Sequence, residues 1–211
     1  MTTAAREHLS VGILVFDGAD SLDVIGPMRV FSGVNEIRSY THAPEIVVYL
    51  VGETSSPVRL AHGPACEPDA TFADCPPLDV LVVPGGSSGS ETVGRCVQQR
   101  NEPTIAFVRD RSAAAQVTAS VCTGAFILAE AGLLAGRRAN THWRWRDELR
   151  DLMASRDEEI EVVAERVVWD GDVVTAGGVT SGIDLALAVV ERLCGEPARQ
   201  ALGAAIERET V

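Results

Sequence analysis

Gln116-Val117-Thr118-Ala119-Ser120-Val121-Cys122-Thr123-Gly124 decides how this chain is to be read. Gln116 to Val121 is a short, uncharged run rich in small and β-branched residues, the composition of a strand buried on both faces of a parallel sheet. From Thr123 to Leu134 the chain is apolar on nearly every side, with Glu130 its one charge, which predicts an interior helix closed by Gly136. Cys122 therefore stands at the junction of strand and helix. Ser120 and Gly124, two places to either side, are small, as a sharp turn of this kind requires where neighbouring backbone comes close. Such a turn strains its central residue. The helix that follows aims unpaired N–H groups at the sulfur and favours thiolate over thiol. Cys122 is expected to be a reactive nucleophile, whereas Cys66, Cys75, Cys96 and Cys194 read as small buried hydrophobes.

The same alternation extends outward in both directions. Leu9 to Phe16 is a first strand, ended by Asp17-Gly18, and a helix capped by Asp20 or Ser21 runs to about Ile37 with Pro27 an awkward point inside it. Glu45 to Val51 and Asp79 to Val83 are nearly all apolar and read as further strands, with Pro- and Gly-punctuated short strands or loops over Ser56 to Phe72. Two amphipathic stretches fall around Val93 to Arg111. Trp143 to Met153 is an amphipathic helix. Arg166 to Trp169 and Asp172 to Thr175 flank Asp170-Gly171, a hairpin turn that predicts an antiparallel edge. Ser181 to Cys194 carries a helical stripe of Ile183, Ala186, Leu187, Val190 and Leu193, and a short helix follows Pro197. Strands alternating with helices imply an α/β, doubly wound, mostly parallel sheet with helices on both faces and an antiparallel edge hairpin.

The composition narrows the chemistry. With 211 residues, 46% hydrophobic and 23% charged, the chain suits a single domain over 1–211 with a sizeable core. All 18 cations are arginine, and the absence of lysine removes Schiff-base chemistry, pyridoxal phosphate attachment and the P-loop lysine. A net charge of −12 repels phosphate backbones and anionic membrane surfaces, so no nucleic acid and no membrane is expected as a partner. Met1 to Ser10 carry no apolar segment and no run of about 18 apolar residues follows, which predicts a cytoplasmic protein. Five irregularly spaced cysteines point to free thiols rather than disulfides. Four scattered histidines, no C-x-x-C and no H-E-x-x-H predict no metal, and no G-x-G-x-x-G signals a dinucleotide, so no cofactor is expected.

Other residues gather around the cysteine in this reading. Val83-Pro84-Gly85-Gly86-Ser87-Ser88-Gly89 ends a strand at the sheet edge where ligands of open α/β sheets bind. A Gly-rich turn lets backbone approach a substrate, so the amides of Gly86 and Thr123 are expected to form an oxyanion hole, with Gly85 lining the pocket. An acid partner could come from Asp17, Asp20 or Asp23. Asp23 lies just inside a helix start, where an acid often serves only the dipole. Buried against Cys122, however, it would hold a proton to donate. His142, twenty residues beyond the cysteine, is read first as a packed histidine beside Trp143 and Trp145 and second as a pocket residue. Gly177 and Gly178 line the same pocket or merely permit a turn, with Val179 and Thr180 as further pocket candidates. Asp184 follows Ser181 at capping spacing.

Val83-Pro84-Gly85-Gly86, Ser120-Val121-Cys122-Thr123-Gly124, Thr141-His142-Trp143 and Gly177-Gly178-Val179-Thr180-Ser181-Gly182-Ile183-Asp184 together resemble the ThiJ/PfpI superfamily of glutamine-amidotransferase-like folds. Leu22-Asp23-Val24-Ile25-Gly26-Pro27 and Phe72 to Val80 are similar to its isonitrile hydratase branch. The resemblance covers roughly Val11 to Leu193 and implies a flavodoxin-like doubly wound fold, a homodimer, Cys122 as nucleophile, Asp23 as the neighbouring acid and Thr123 as an active-site residue. It implies a small electrophilic substrate: an isonitrile, or another such as an α-oxoaldehyde or a reactive biosynthetic intermediate. The amidotransferase-like domain of AraC-type regulators carries similar segments and implies a non-enzymatic ligand or thiol sensor instead. The protease-like branch has histidine directly after cysteine; here that residue is Thr123, which argues against peptidase activity.

Overall fold

The computed structural model describes residues 8–86 and 101–208. Ser87, Ser88, Gly89, Cys96 and the beginning of the amphipathic stretch from Val93 lie outside them. In chain order the elements are β1 (His8–Leu14), α1 (Ser21–Thr41), β2 (Glu45–Gly52), the two-residue strands β3 (Val58–Arg59), β4 (Ala65–Cys66) and β5 (Ala70–Thr71), and β6 (Val80–Val83). Then come α2 (Glu102–Ser112), β7 (Val117–Val121), α3 (Gly124–Glu130), β8 (Arg138–Ala139), a 3-10 turn at Trp143–Trp145, α4 (Arg146–Ala154), β9 (Glu161–Val162), β10 (Val167–Asp170), β11 (Val173–Ala176), α5 (Ser181–Cys194) and α6 (Glu196–Ala205).

Seven strands form one sheet in the order β10-β11-β7-β6-β1-β2-β5. All neighbours are parallel except β10, which runs antiparallel to β11 at the edge. The expected edge hairpin is therefore present, shifted by one residue: Asp170 pairs with Val173, and the turn is Gly171-Asp172, with Gly171 at φ 63°. The central strands β6, β7 and β11 are buried at every position, and their Val-rich sequences follow from that. β2 is only half-buried from Val47 to Leu50 despite its apolar sequence. It lies one strand from the edge, where cover is incomplete. α1, α5 and α6 pack against each other, while α3 packs against both α2 and α4.

Two helices depart from expectation in ways that shape the site. α3 spans only Gly124 to Glu130, four residues short of the predicted end, because Gly132 adopts φ 78° and breaks the helical run. Its residues Gly124 to Ala129 are all buried, and Glu130 pairs with Arg156. α1 passes straight through Pro27 to Thr41. Proline there supplies no N–H to the Asp23 carbonyl one turn earlier. The compact Gly26-Pro27 segment also lets α5 approach, for a Cβ on Gly26 would lie 3.2 Å from Ile183 and one on Gly182 3.3 Å from Pro27. Ser181 is the first residue of α5 rather than its cap, and Asp184 pairs with Arg166 and Arg208 instead of capping.

Candidate active site

Four loops at the carboxyl ends of β1, β6, β7 and β11 converge on Cys122. The cysteine has φ 57°, in the left-handed region that costs a non-glycine residue strain. Its backbone is clamped from both sides: its N–H donates to Gly177 O at 2.8 Å, and its carbonyl accepts from Thr141 Oγ1 at 2.7 Å. Small neighbours are a steric necessity here. A Cβ on Gly124 would fall 2.2 Å from Val83 O, and one on Gly85 would fall 2.6 Å from Thr123 N and 2.9 Å from Cys122 Cβ. Cys122 as a residue keeps 9% of its surface exposed, far too little to solvate a charge.

Asp23 meets it from the β1 side. The carboxyl is fully buried, and Oδ2 accepts from Gly85 N–H at 3.0 Å, across 62 residues of sequence, so the side chain does not serve its own helix end. Oδ1 is buried without a hydrogen-bond partner of ordinary geometry, although the nearby thiol counts among the groups that draw the carboxyl's pKa down. Burial and the charge of Asp20 outweigh that pull and hold Asp23 well above the usual carboxylate range. The Cys122 thiol is pushed far up as well, by burial first and Asp23 second. The N–H groups of Thr123 and Val179 donate to the sulfur and lower it, but by less. Burial thus works against the expected thiolate, and α3 has only seven residues to supply an opposing dipole.

The expected oxyanion pair also changes. Gly86 N–H donates to Thr123 Oγ1 at 3.1 Å and is committed there, whereas Thr123 N–H is aimed at the sulfur. The second amide at the sulfur belongs to Val179. This β-branched residue sits at φ 48°, a conformation it adopts only when its surroundings impose it.

Residues 9–192 match the DJ-1/PfpI family. The chain belongs to that family. It is 40% identical to an isonitrile hydratase from Pseudomonas putida over 187 residues, covering 89% of this chain and 73% of the relative. It is 27% identical to the HTH-type transcriptional regulator CdhR from Pseudomonas aeruginosa, covering 80% of this chain and 47% of the regulator. Among solved structures, a ThiJ/PfpI family protein from Pseudomonas syringae superposes with a TM-score of 0.81 at 31% identity, over 98% of this chain and 78% of the other.

In this DJ-1/PfpI chain the three candidate acids separate cleanly. Asp17 is exposed and accepts from Arg59 N–H at 2.7 Å. Asp20 caps α1 through Leu22 N–H at 3.0 Å and stays half-buried. Only Asp23 is sealed against the cysteine. His142 lies over Gly178, where a Cβ would come within 2.3 Å of its ring. Its Nδ1 accepts from Arg144 N–H at 3.3 Å and starts the 3-10 turn, and burial with Arg144 and Arg146 lowers its pKa. Thr180 is exposed with its hydroxyl held by Arg166 at 3.0 Å, outside the group around the sulfur. Val179's N–H and Gly178's close approach to His142 are roles that residue type alone did not announce. The paired glycines just before Val179 were the available signal.

Proposed function

We propose that the chain is a cysteine-dependent hydratase that converts an isonitrile and water into an N-substituted formamide. The observation that carries this reading is the buried Asp23 carboxyl with one oxygen uncommitted beside a strained, barely exposed thiol. A pair whose members both hold protons tightly does not begin as a free thiolate. Instead Asp23, which already carries a proton, donates it to the terminal isonitrile carbon as sulfur bonds there and takes the thiol proton in its place, giving a thioimidate. Water then adds to this carbon and a proton reaches nitrogen. The carbon–sulfur bond breaks, and the formamide leaves with the thiol restored. The Thr123 and Val179 amides stabilise sulfur as it gains and loses negative charge. The likeness to the Pseudomonas putida isonitrile hydratase supports the reaction class.

A second reading, ligand sensing without turnover, draws on the likeness to a transcriptional regulator. One experiment separates the two. Purified protein is incubated with a small alkyl isonitrile and, in parallel, with methylglyoxal, and products are followed by NMR. Formamide accumulates with wild-type protein, and Cys122→Ser and Asp23→Asn lose it while keeping their melting transitions. Binding with no product favours sensing, consumption of methylglyoxal alone moves the chemistry to another electrophile, and turnover persisting in Cys122→Ala overturns the covalent route.

A further inference from the structure

Asp20 stands one peptide away from the reacting groups and has no part in the scheme above. Its backbone N–H donates to Gly85 O at 2.9 Å, and the Gly85 N–H in turn donates to Asp23. The Gly85 peptide therefore ties the two aspartates to each other and to Cys122, whose Cβ lies against it. Ala19 bridges to Gly86 and Asp20 to Ala61, so the β1–α1 loop is fixed on both sides. Asp23 is sealed while Asp20, whose carboxylate caps Leu22 N–H, is half-buried and so the more solvent-accessible of the two. Its negative charge acts on all three titratable groups of the site, Asp23, Cys122 and His142. Among the described residues the cations Arg144 and Arg146 act on His142, while no cation figures among the groups acting on the sulfur.

We propose that Asp20 is a specificity-determining residue that makes the approach to Cys122 selective for neutral electrophiles over anionic ones. A carboxylate there repels any substrate carrying a carboxylate or phosphate as it nears the sulfur, and beside so buried a group one unit charge is felt strongly. A neutral isonitrile passes. The inference rests on the reading of Cys122 as an accessible nucleophile and adds the substrate class that this nucleophile accepts.

Iodoacetamide and iodoacetate test it, since they differ mainly in charge. In both, sulfur displaces iodide, the carbon–sulfur bond forms, and the thiol proton passes to solvent. Rates at Cys122 are read by mass spectrometry in the full chain and expressed as an amide-to-acetate ratio against N-acetylcysteine amide. A change in thiolate fraction moves both rates together and cancels in that ratio. Asp20→Asn and Asp20→Ser both keep a capping oxygen for Leu22 N–H while removing the charge. Each is expected to lower the ratio about three- to tenfold, and Asp20→Glu to keep it. A ratio unchanged in both neutral variants overturns the inference and leaves the nucleophile in place. No labelling of Cys122 by either reagent in wild-type protein overturns the nucleophile and the inference together.

Discussion

Asp23 and Asp79 are both buried aspartates that tie β1 and its loop to β6, at opposite ends of the sheet. Asp79, just before β6, accepts from Ser10 N–H through Oδ2 at 2.9 Å and from Gln116 Nε2 through Oδ1 at 2.8 Å. Asp23, beyond the carboxyl ends, accepts from Gly85 N–H through one oxygen and leaves the other, beside the thiol, without a hydrogen bond of ordinary geometry. A surface cleft of about 660 Å³ opens at the Asp79 end, so the size of a concavity does not mark the reactive end. The second carboxylate oxygen does. Satisfied, it makes a strand staple; uncommitted beside a thiol, it keeps a proton position in reserve.

Substitution separates the two ends most widely in activity. Asp23→Asn is expected to cut formamide production at least about a hundredfold, the usual worth of a proton-transferring group, with a cooperative melting transition kept. Asp79→Ala is expected to hold activity within about threefold and to lose about 1–3 kcal/mol of stability, as the buried Ser10 N–H loses its acceptor. Steady-state rates with thermal melts give both numbers. Comparable activity losses in the two variants would erase the distinction.

The next effect is thermodynamic and has a sign fixed by Asp23. Its folded-state pKa is raised, so the folded protein binds this proton more tightly than the unfolded chain. The stabilisation that proton gives is complete below the unfolded value of about 4 and is lost as pH rises through the folded value. Asp23→Asn has no such loss. Its melting temperature relative to wild type should climb from about pH 4 upward by a few degrees, and a difference flat with pH would contradict the buried-carboxyl account.

Much of this was legible in sequence, because it follows from local pattern. The uniformly apolar runs at Val80–Val83 and Val117–Val121 announced central strands, and an Asp-Gly pair between β-branched runs announced the edge hairpin. What was not legible depends on partners far along the chain. Nothing near Gly86 says that a hydroxyl 37 residues later takes its amide. Nothing at Val179 predicts a left-handed φ in a β-branched residue. The electrostatic balance at Cys122 has the same origin: its helix is local and visible, whereas the burial that opposes a charge on the sulfur comes from folding. β2 illustrates the converse, since apolar composition reports what a strand tolerates and not what covers it.

A smaller effect is expected at Thr123. Thr123→Val removes the hydroxyl that accepts from Gly86 and leaves that amide without its acceptor, at about 1–3 kcal/mol in stability. Activity should fall by about tenfold through loosening of the Gly85-Gly86 segment that orients Asp23, visible in kcat more than KM.

His142 gives the smallest effect and the sharpest test of which side chain moves the thiol proton. A base needs a free lone pair, and the Nδ1 lone pair of His142 is engaged by Arg144 N–H, so the neutral ring carries its proton on Nε2. The lowered pKa keeps the ring neutral at pH 7 and puts any histidine limb of a pH–rate profile below its ordinary value of about 6.5. Asn supplies a capping oxygen for the same N–H. His142→Asn is therefore expected to change kcat by less than about threefold and to leave the pH profile in place, while Asp23→Asn reshapes it. Loss of the acidic limb in His142→Asn, with Asp23 intact, would move the proton-transfer role from the carboxyl beneath the sulfur to the imidazole beside Gly178.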